Sequence, residues 1–265
     1  MKQLVLCADD FAMHEPASRA IAELGRAGRI SATSAMVLSP RWGIDVAMLR
    51  ELRGRIDVGL HLDWTSSFAR AAGHGRALSQ LMRRALLGGL DQRGARVAIE
   101  RQLDAFEAQW KAPPDHIDGH QHVHQFAGIR QALVAAMSKR YPGHKPYLRV
   151  SRIADKQVGF KGRVITAMGA SALEQLARQA GIAVASPLTG VYDFSRRGGA
   201  YAQHMENWLN TLPDAAIMMC HPATHLEEGD EIGVARVWEF DYLSSGAFPA
   251  TLGQAGVALV RGGHA

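Results

Sequence analysis

Five segments of the chain carry side chains that could hold a metal ion and move protons. Asp9 and Asp10 directly follow the apolar run 4–8, and two adjacent carboxylates at a strand end repel each other unless a cation or proton compensates one of them. A metal would do so, although one aspartate could equally cap a turn or the helix that begins near Pro16. His61 interrupts the apolar run Gly59-Leu60-His61-Leu62; read alone, it is either a hydrogen-bonded core histidine or a ligand. The most informative stretch is Asp118-Gly119-His120-Gln121-His122-Val123-His124. Its three imidazoles, at every second position, share one face if the backbone stays extended; the alternatives are a polar loop and a metal-scavenging tract. Imidazole suits zinc and other transition metals, whereas magnesium prefers more oxygen, so the mixed set leans toward a transition metal. His221 closes Met218-Met219-Cys220-His221-Pro222 as a ligand, a proton donor or a support for either, with Pro222 ending the strand. Arg149, inside Tyr147-Leu148-Arg149-Val150, needs a carboxylate such as Asp9 if it is buried, and is otherwise a surface arginine on an edge strand.

Such residues need a scaffold that brings distant segments to one place. Short runs rich in Val, Ile and Leu alternate with segments of helical period, the pattern of strands and helices around a mostly parallel sheet. Strands are expected at 3–8, 34–38, 57–62, 116–119, 147–150, 182–185, 215–220 and 257–260, and helices at 16–27, 42–52, 95–110, 128–140, 171–180 and 203–212. Residues 65–94, with one short helix, are too long for a simple connection and form a candidate lid or substrate loop. Titratable residues recur just after strands, at Asp9-Asp10, His61, Asp118 to His120 and His221. That placement fits the C-terminal rim of a barrel better than the single switch point of an open sheet. The expectation is α/β: one domain over 1–265, a distorted or incomplete (β/α) TIM-like barrel of seven or eight mostly parallel strands.

Composition narrows the partners. The chain has 265 residues, 47% of them hydrophobic, and a formal net charge of +5. The densest basic stretch, 83–101, contains Asp91 and Glu100 and reads as a solvated helix face rather than a nucleic-acid surface. An anionic partner is compatible with this composition but not required by it. Cys7 and Cys220 each sit in an apolar run without framework spacing, as small hydrophobes of a reducing compartment do. The first apolar run is too short for a signal-peptide core, and no stretch of about 18 apolar residues offers an integral membrane segment. A cytoplasmic protein is expected, with peripheral membrane contact left open.

Taken together and in order, Ala8-Asp9-Asp10-Phe11, Gly59-Leu60-His61-Leu62, Asp118 through His124, Leu148-Arg149-Val150 and Cys220-His221-Pro222 resemble the YdjC-like (ChbG/HpnK-type) carbohydrate deacetylases. That resemblance implies a distorted (β/α) barrel and one divalent metal, magnesium or zinc, held by Asp10, His61 and His120. It implies Asp9 as catalytic base, Arg149 orienting it, and hydrolysis of N-acetyl groups on chitooligosaccharide-like or glycolipid substrates. Similarity to the wider polysaccharide deacetylases gives the acid role to His221, with His124 and His122 as rivals. Asp63-Trp64 and the 65–94 region depart from the commoner pattern, which leaves substrate size open. Trp64, Phe126 and Trp238 are candidates for stacking on a sugar ring or for the core, and a homodimer is the default assembly. Two other readings compete. One is a barrel phosphoesterase or amidohydrolase, which in its two-metal form needs a second ligand cluster from His122, His124, His221 and His225. The other is a non-catalytic carbohydrate- or metal-binding protein, which would have no need of Asp9.

Overall fold

The first strand, β1 (Lys2–Phe11), is buried over its last eight residues. Its unbroken Leu-Val-Leu-Cys-Ala run suits a strand covered on both faces. The computed structural model describes residues 1–153, 160–194 and 200–262. After β1 come α1 (Glu15–Arg26), β2 (Ala32–Ala35), α2 (Trp42–Asp45) with a 3-10 turn at Val46–Leu52, and β3 (Asp57–Leu62). Helices α3 (Ser67–Ala71), α4 (Leu78–Leu86) and α5 (Gln92–Trp110) precede β4 (His116–Gly119), a 3-10 turn at His120–Gln125, α6 (Ile129–Arg140) and β5 (Tyr147–Arg149). The remainder is α7 (Phe160–Ala167), α8 (Ala170–Gln179), β6 (Val184–Ala185), β7 (Leu188–Thr189), α9 (Ala200–Thr211), β8 (Ala216–Cys220), α10 (Gly233–Ser244), α11 (Ala247–Gln254) and β9 (Val257–Leu259).

The strands pair in parallel in the order β6-β5-β4-β3-β2-β1-β8-β7, with β9 also on β1. Only Ser186 and Pro187 separate β6 from β7, so one stretch of chain pairs with β5 at its start and with β8 at its end. A bridge between Ile153 and Leu188 narrows the remaining gap. The result is the expected nearly closed parallel barrel, with every strand's C-terminal end on one rim. No helix among the described residues is long and apolar enough to cross a membrane.

Local chemistry fixes the helices that support this rim. α1 starts where the His14 ring accepts a hydrogen bond from the Ala17 N–H, a cap contributing about 1 kcal/mol, and it buries Ala17, Ala20, Ile21 and Leu24 at helical spacing. Trp42 stacks on Phe106 at 5.4 Å and meets Phe11 edge-on at 6.3 Å, locking α2 and α5 against β1. The 65–94 segment holds two helices rather than one. Its entry is anchored by the Asp63 carboxylate, which accepts from the Thr65 and Ser66 N–H groups at 2.9 and 3.0 Å. The second strand ends at Ala35 rather than Leu38, because Met36 and Ser39 are drawn into a turn by a Ser39 N–H to Met36 carbonyl bond.

Candidate metal centre

Asp9 and Asp10 reach the same cavity because β1 is irregular where they stand. Ala8 pairs with Thr33 and Phe11 with Ala35, so β1 carries one more residue than β2 between those pairs. Neighbours in a regular strand face opposite sides; a bulge breaks the alternation and re-aims side chains. Asp10 takes a positive φ of 68° in the process. The two carboxylates then meet different cations. Arg149, fully buried, clamps both oxygens of Asp9 at 2.6 and 2.7 Å, while Arg236 Nη2 donates to Asp10 Oδ2 at 2.7 Å.

Asp10, His61 and His120 offer ligand atoms that all lie within 4.8 Å of one another. His61 Nε2 is 3.4 Å and His120 Nδ1 3.0 Å from Asp10 Oδ1. On its other side His61 Nδ1 lies 2.6 Å from Asp118 Oδ1. A carboxylate there accepts the Nδ1 proton and leaves the Nε2 lone pair for a cation, the usual outer support of a metal-binding histidine. Two further groupings occur among the described residues, Cys7-His116-Asp118 and Asp9-His61-Asp118. Both are compromised: Arg149 already pairs with Asp9 and Asp118, and Cys7, His116 and Asp118 do not line the cavity. Only the first set presents its donors to open space.

Charge supports the same assignment. Burial opposes ionisation of Asp10 and Asp118, but Arg236 and His120 hold the first, and Arg149 and His61 the second, well below the usual carboxylate range. Asp9 is likewise lowered by Arg149 against burial, and Asp230 is held at about 2 against burial by His14 and Arg236. Four ionised carboxylates face only two guanidiniums, those of Arg149 and Arg236, so the cluster retains negative charge that a proton or a cation would compensate. Burial resists a proton on His61, yet Asp118 and Asp9 push its pKa up to about 10. The same field that attracts that proton attracts a metal in its place.

The three imidazoles after β4 do not share a face. Gln121 and His122 adopt positive φ values of 52° and 60°, coiling the chain into a 3-10 turn where an extended strip was expected. His120 goes to Asp10. His122 lines the cavity with its Nδ1 2.8 Å from Ser151 Oγ. His124 turns into the core, where its Nε2–H donates to the Arg149 carbonyl at 2.8 Å, and burial drives its pKa down to about 4. His221 lines the cavity with Nε2 3.9 Å from Asp9 Oδ2; burial lowers it to about 4 as well. His225 is exposed beside Thr224. No second cluster forms from His122, His124, His221 and His225 among the described residues. Of the three stacking candidates only Phe126 lines the cavity, joined by Phe68 and Phe194, while Trp64 is buried against His74.

Sequence reasoning missed α10, which carries two site residues on its buried face. Arg236 bridges Asp10 and Asp230. One turn later Glu239 accepts from the His221 N–H at 2.5 Å and from Tyr192 Oη at 2.6 Å, and burial raises its carboxyl to about 7. A helix whose inward face is charged shows no hydrophobic period. Ser34, which donates to Asp9 Oδ1 at 3.2 Å and lies 3.1 Å from His61 Nδ1, gave no signal at all.

A parallel α/β barrel whose rim sets an aspartate-histidine donor group beside a second, arginine-clamped aspartate defines a class: barrel proteins equipped for metal-assisted chemistry. Within that class, the profile of the YdjC-like protein family matches residues 3–254, and the chain belongs to this family. It is similar to a chitooligosaccharide deacetylase of Yersinia pestis (strain Pestoides F), 32% identical over 147 residues that cover 52% of this chain and 56% of the relative. A chitooligosaccharide deacetylase of Yersinia pseudotuberculosis matches to the same extent. The chain thus spans about half the length of the curated relatives it matches. Among solved structures, a proposed cellobiose-phosphate cleavage protein of Enterococcus faecalis V583 superposes with a TM-score of 0.74 at 18% identity, covering 99% of this chain and 98% of that one. The Xyl-CE4 domain of a multidomain xylanase from the hindgut metagenome of Trinervitermes trinervoides gives 0.51 at 11% identity, covering 99% and 88%. Both likenesses speak to the fold.

Proposed function

We propose that this chain, read as one domain over 1–265, is a metal-dependent hydrolase that removes an N-acetyl group from an amino sugar, on a chitooligosaccharide-like or glycolipid substrate. One observation carries that reading: the Asp10-His61-His120 donor set, within 4.8 Å, shares a cavity of about 930 Å³ with Asp9. Membership of the YdjC-like family and similarity to chitooligosaccharide deacetylases support an amino-sugar amide as substrate. Asp10, His61 and His120 would hold one divalent cation, zinc or magnesium, with two nitrogens favouring a transition metal. When bound, the cation supplies Lewis-acid polarisation of the amide carbonyl and a lowered pKa for water.

The rest of the chemistry belongs to the chain. Asp9, ionised and fixed at both oxygens by Arg149, takes a proton from the attacking water, a role that contributes about 10²–10⁴-fold. Arg149 orients it. His221 gives a proton to the departing nitrogen, without which an amide nitrogen leaves poorly. Because burial keeps the His221 ring neutral near pH 7, the proton it delivers is the one Asp9 collects, relayed through one water across the 3.9 Å between them. Water thereby adds hydroxyl to the carbonyl carbon and hydrogen to the nitrogen, and acetate and an amine are released. His122 shares the cavity but engages Ser151, and His124 does not line it, which favours His221 as the acid. The two cysteines are free and buried, in keeping with the cytoplasmic setting expected from the sequence, and a homodimer is the default assembly.

The test pairs elemental analysis with acetate release from N-acetylglucosamine oligomers, for wild type, Asp9→Asn and His120→Ala. About one metal per chain is expected, lost in His120→Ala and kept in Asp9→Asn, with acetate release abolished in both. Metal without acetate from any N-acetylated sugar would refute the substrate class. Absence of bound metal would refute the whole reading.

A further inference from the structure

Arg83 and Arg84, exposed as expected of a solvated helix face, flank an exposed apolar tip. α4 ends in Leu86, followed by Leu87, and these side chains are 75% and 78% exposed, although Leu81 and Ala85 of the same helix reach the core. Single exposed leucines are ordinary; an adjacent pair rimmed by charge of one sign marks a contact surface. Between residues 76 and 93 the chain carries Arg76, Arg83, Arg84 and Arg93 against a single acid, Asp91. All four arginines are exposed, and no ion pair among the described residues includes them. The Asp91 carboxylate is engaged in capping α5 through the Arg93 and Gly94 N–H groups. The apolar side of α4 continues from this tip to the cavity, which Leu78 and Met82 line.

Two leucines beside the unpaired guanidiniums of Arg83 and Arg84, one helical turn back, complement a surface that is apolar inside and anionic at its edge. We propose that the tip of α4 docks this protein on an anionic lipid surface, with Leu86 and Leu87 entering the acyl boundary and Arg83 and Arg84 meeting headgroup phosphates. A second copy of the chain is the poorer occupant. Across a two-fold axis the patch would meet itself, guanidinium against guanidinium. Docking turns the lip of the cavity toward the surface, so a sugar amide carried in that surface is presented to the site. This last consequence rests on the hydrolase reading; the docking itself does not.

The experiment is co-sedimentation of the full chain with phosphatidylcholine vesicles, with and without roughly one part in four of phosphatidylglycerol. Wild type should bind the mixed vesicles and not the neutral ones. Binding should fall at least about tenfold in R83E/R84E and in L86S/L87S, and at high salt, while circular dichroism and metal content stay unchanged. Failure to bind mixed vesicles, equal binding to neutral ones, or undiminished binding by both double variants overturns the proposal. So does a dimer at sedimentation equilibrium that L86S/L87S converts to monomers, since the patch would then join copies of the chain. Acetate release from a short soluble oligosaccharide needs no surface and keeps the two claims apart. Absence of acetate from soluble and vesicle-borne N-acetylated sugars alike, with vesicle binding intact, defeats the hydrolase reading alone; release from the soluble oligosaccharide without vesicle binding defeats the docking alone.

Discussion

Asp9 and Asp10 are neighbours in sequence but answer to different arginines, and their substitutions should separate accordingly. Arg149 sets the direction of Asp9, whereas Arg236 occupies the Asp10 oxygen turned away from His61 and His120. Removing such an outer partner of a ligand typically weakens metal binding about 10- to 100-fold. Arg236→Gln should therefore lower affinity for zinc by about that factor in a direct titration, and Arg236→Lys should recover little, because one ammonium cannot serve Asp10 and Asp230 with the geometry of a planar fork. Unchanged affinity in Arg236→Gln would remove Arg236 from the site. Of the proposed site residues, Asp10, His61 and Arg149 were legible because each is a polar residue in or directly after an apolar run, and His120 because it opens a run of alternate histidines. Arg236 and Glu239 were not, since they are the inward face of their helix and so erase the period that would have announced it.

The elements are held together by contacts as close as those of the site. Gly59 of β3 lies so near β4 that an added Cβ would stand 2.4 Å from the His116 ring, and that ring stacks on Tyr147 of β5 at 5.1 Å. It cannot retreat. Gly59→Ala should cost about 1–3 kcal/mol of stability, read as a lower urea midpoint at unchanged slope; a neutral result would mean the β3-β4-β5 face is looser than its packing indicates. Sequence placed β3, β4 and β5 within a residue or so of their observed limits. It misplaced the histidines after β4, because period-two spacing implies one face only while the backbone stays extended, and two left-handed residues end that condition. The bulge at Asp9 and Asp10 was equally hidden, being a property of pairing with β2 rather than of β1 itself.

At the scale of the whole molecule, burial of neutral histidine makes stability depend on pH. His124 is held at about 4 when folded and near 6.5 when unfolded. At pH 7 both states are neutral and the contribution is complete; as pH falls below 6.5 the unfolded chain takes a proton that the folded chain refuses. Down to pH 4 this costs on the order of 3 kcal/mol. His124→Gln should flatten the fall in unfolding free energy between pH 7 and about 4.5, and an equally steep fall in that variant would count against the assignment. The barrel itself could be read from titratable residues following successive strands. Its closure could not, because β6 and β7 have two residues each and carry no period. The positive φ of Asp10 bears on the molecule as a whole in another way. A non-glycine residue held there costs about 1 kcal/mol or more, least for aspartate and asparagine. Asp10→Asn is thus a cleaner way than Asp10→Ala to remove the charge without adding strain. Glycine at position 10 would relax the backbone but deprive the buried Arg236 guanidinium of one carboxylate partner, so relief of strain and loss of an ion pair oppose each other at the same residue.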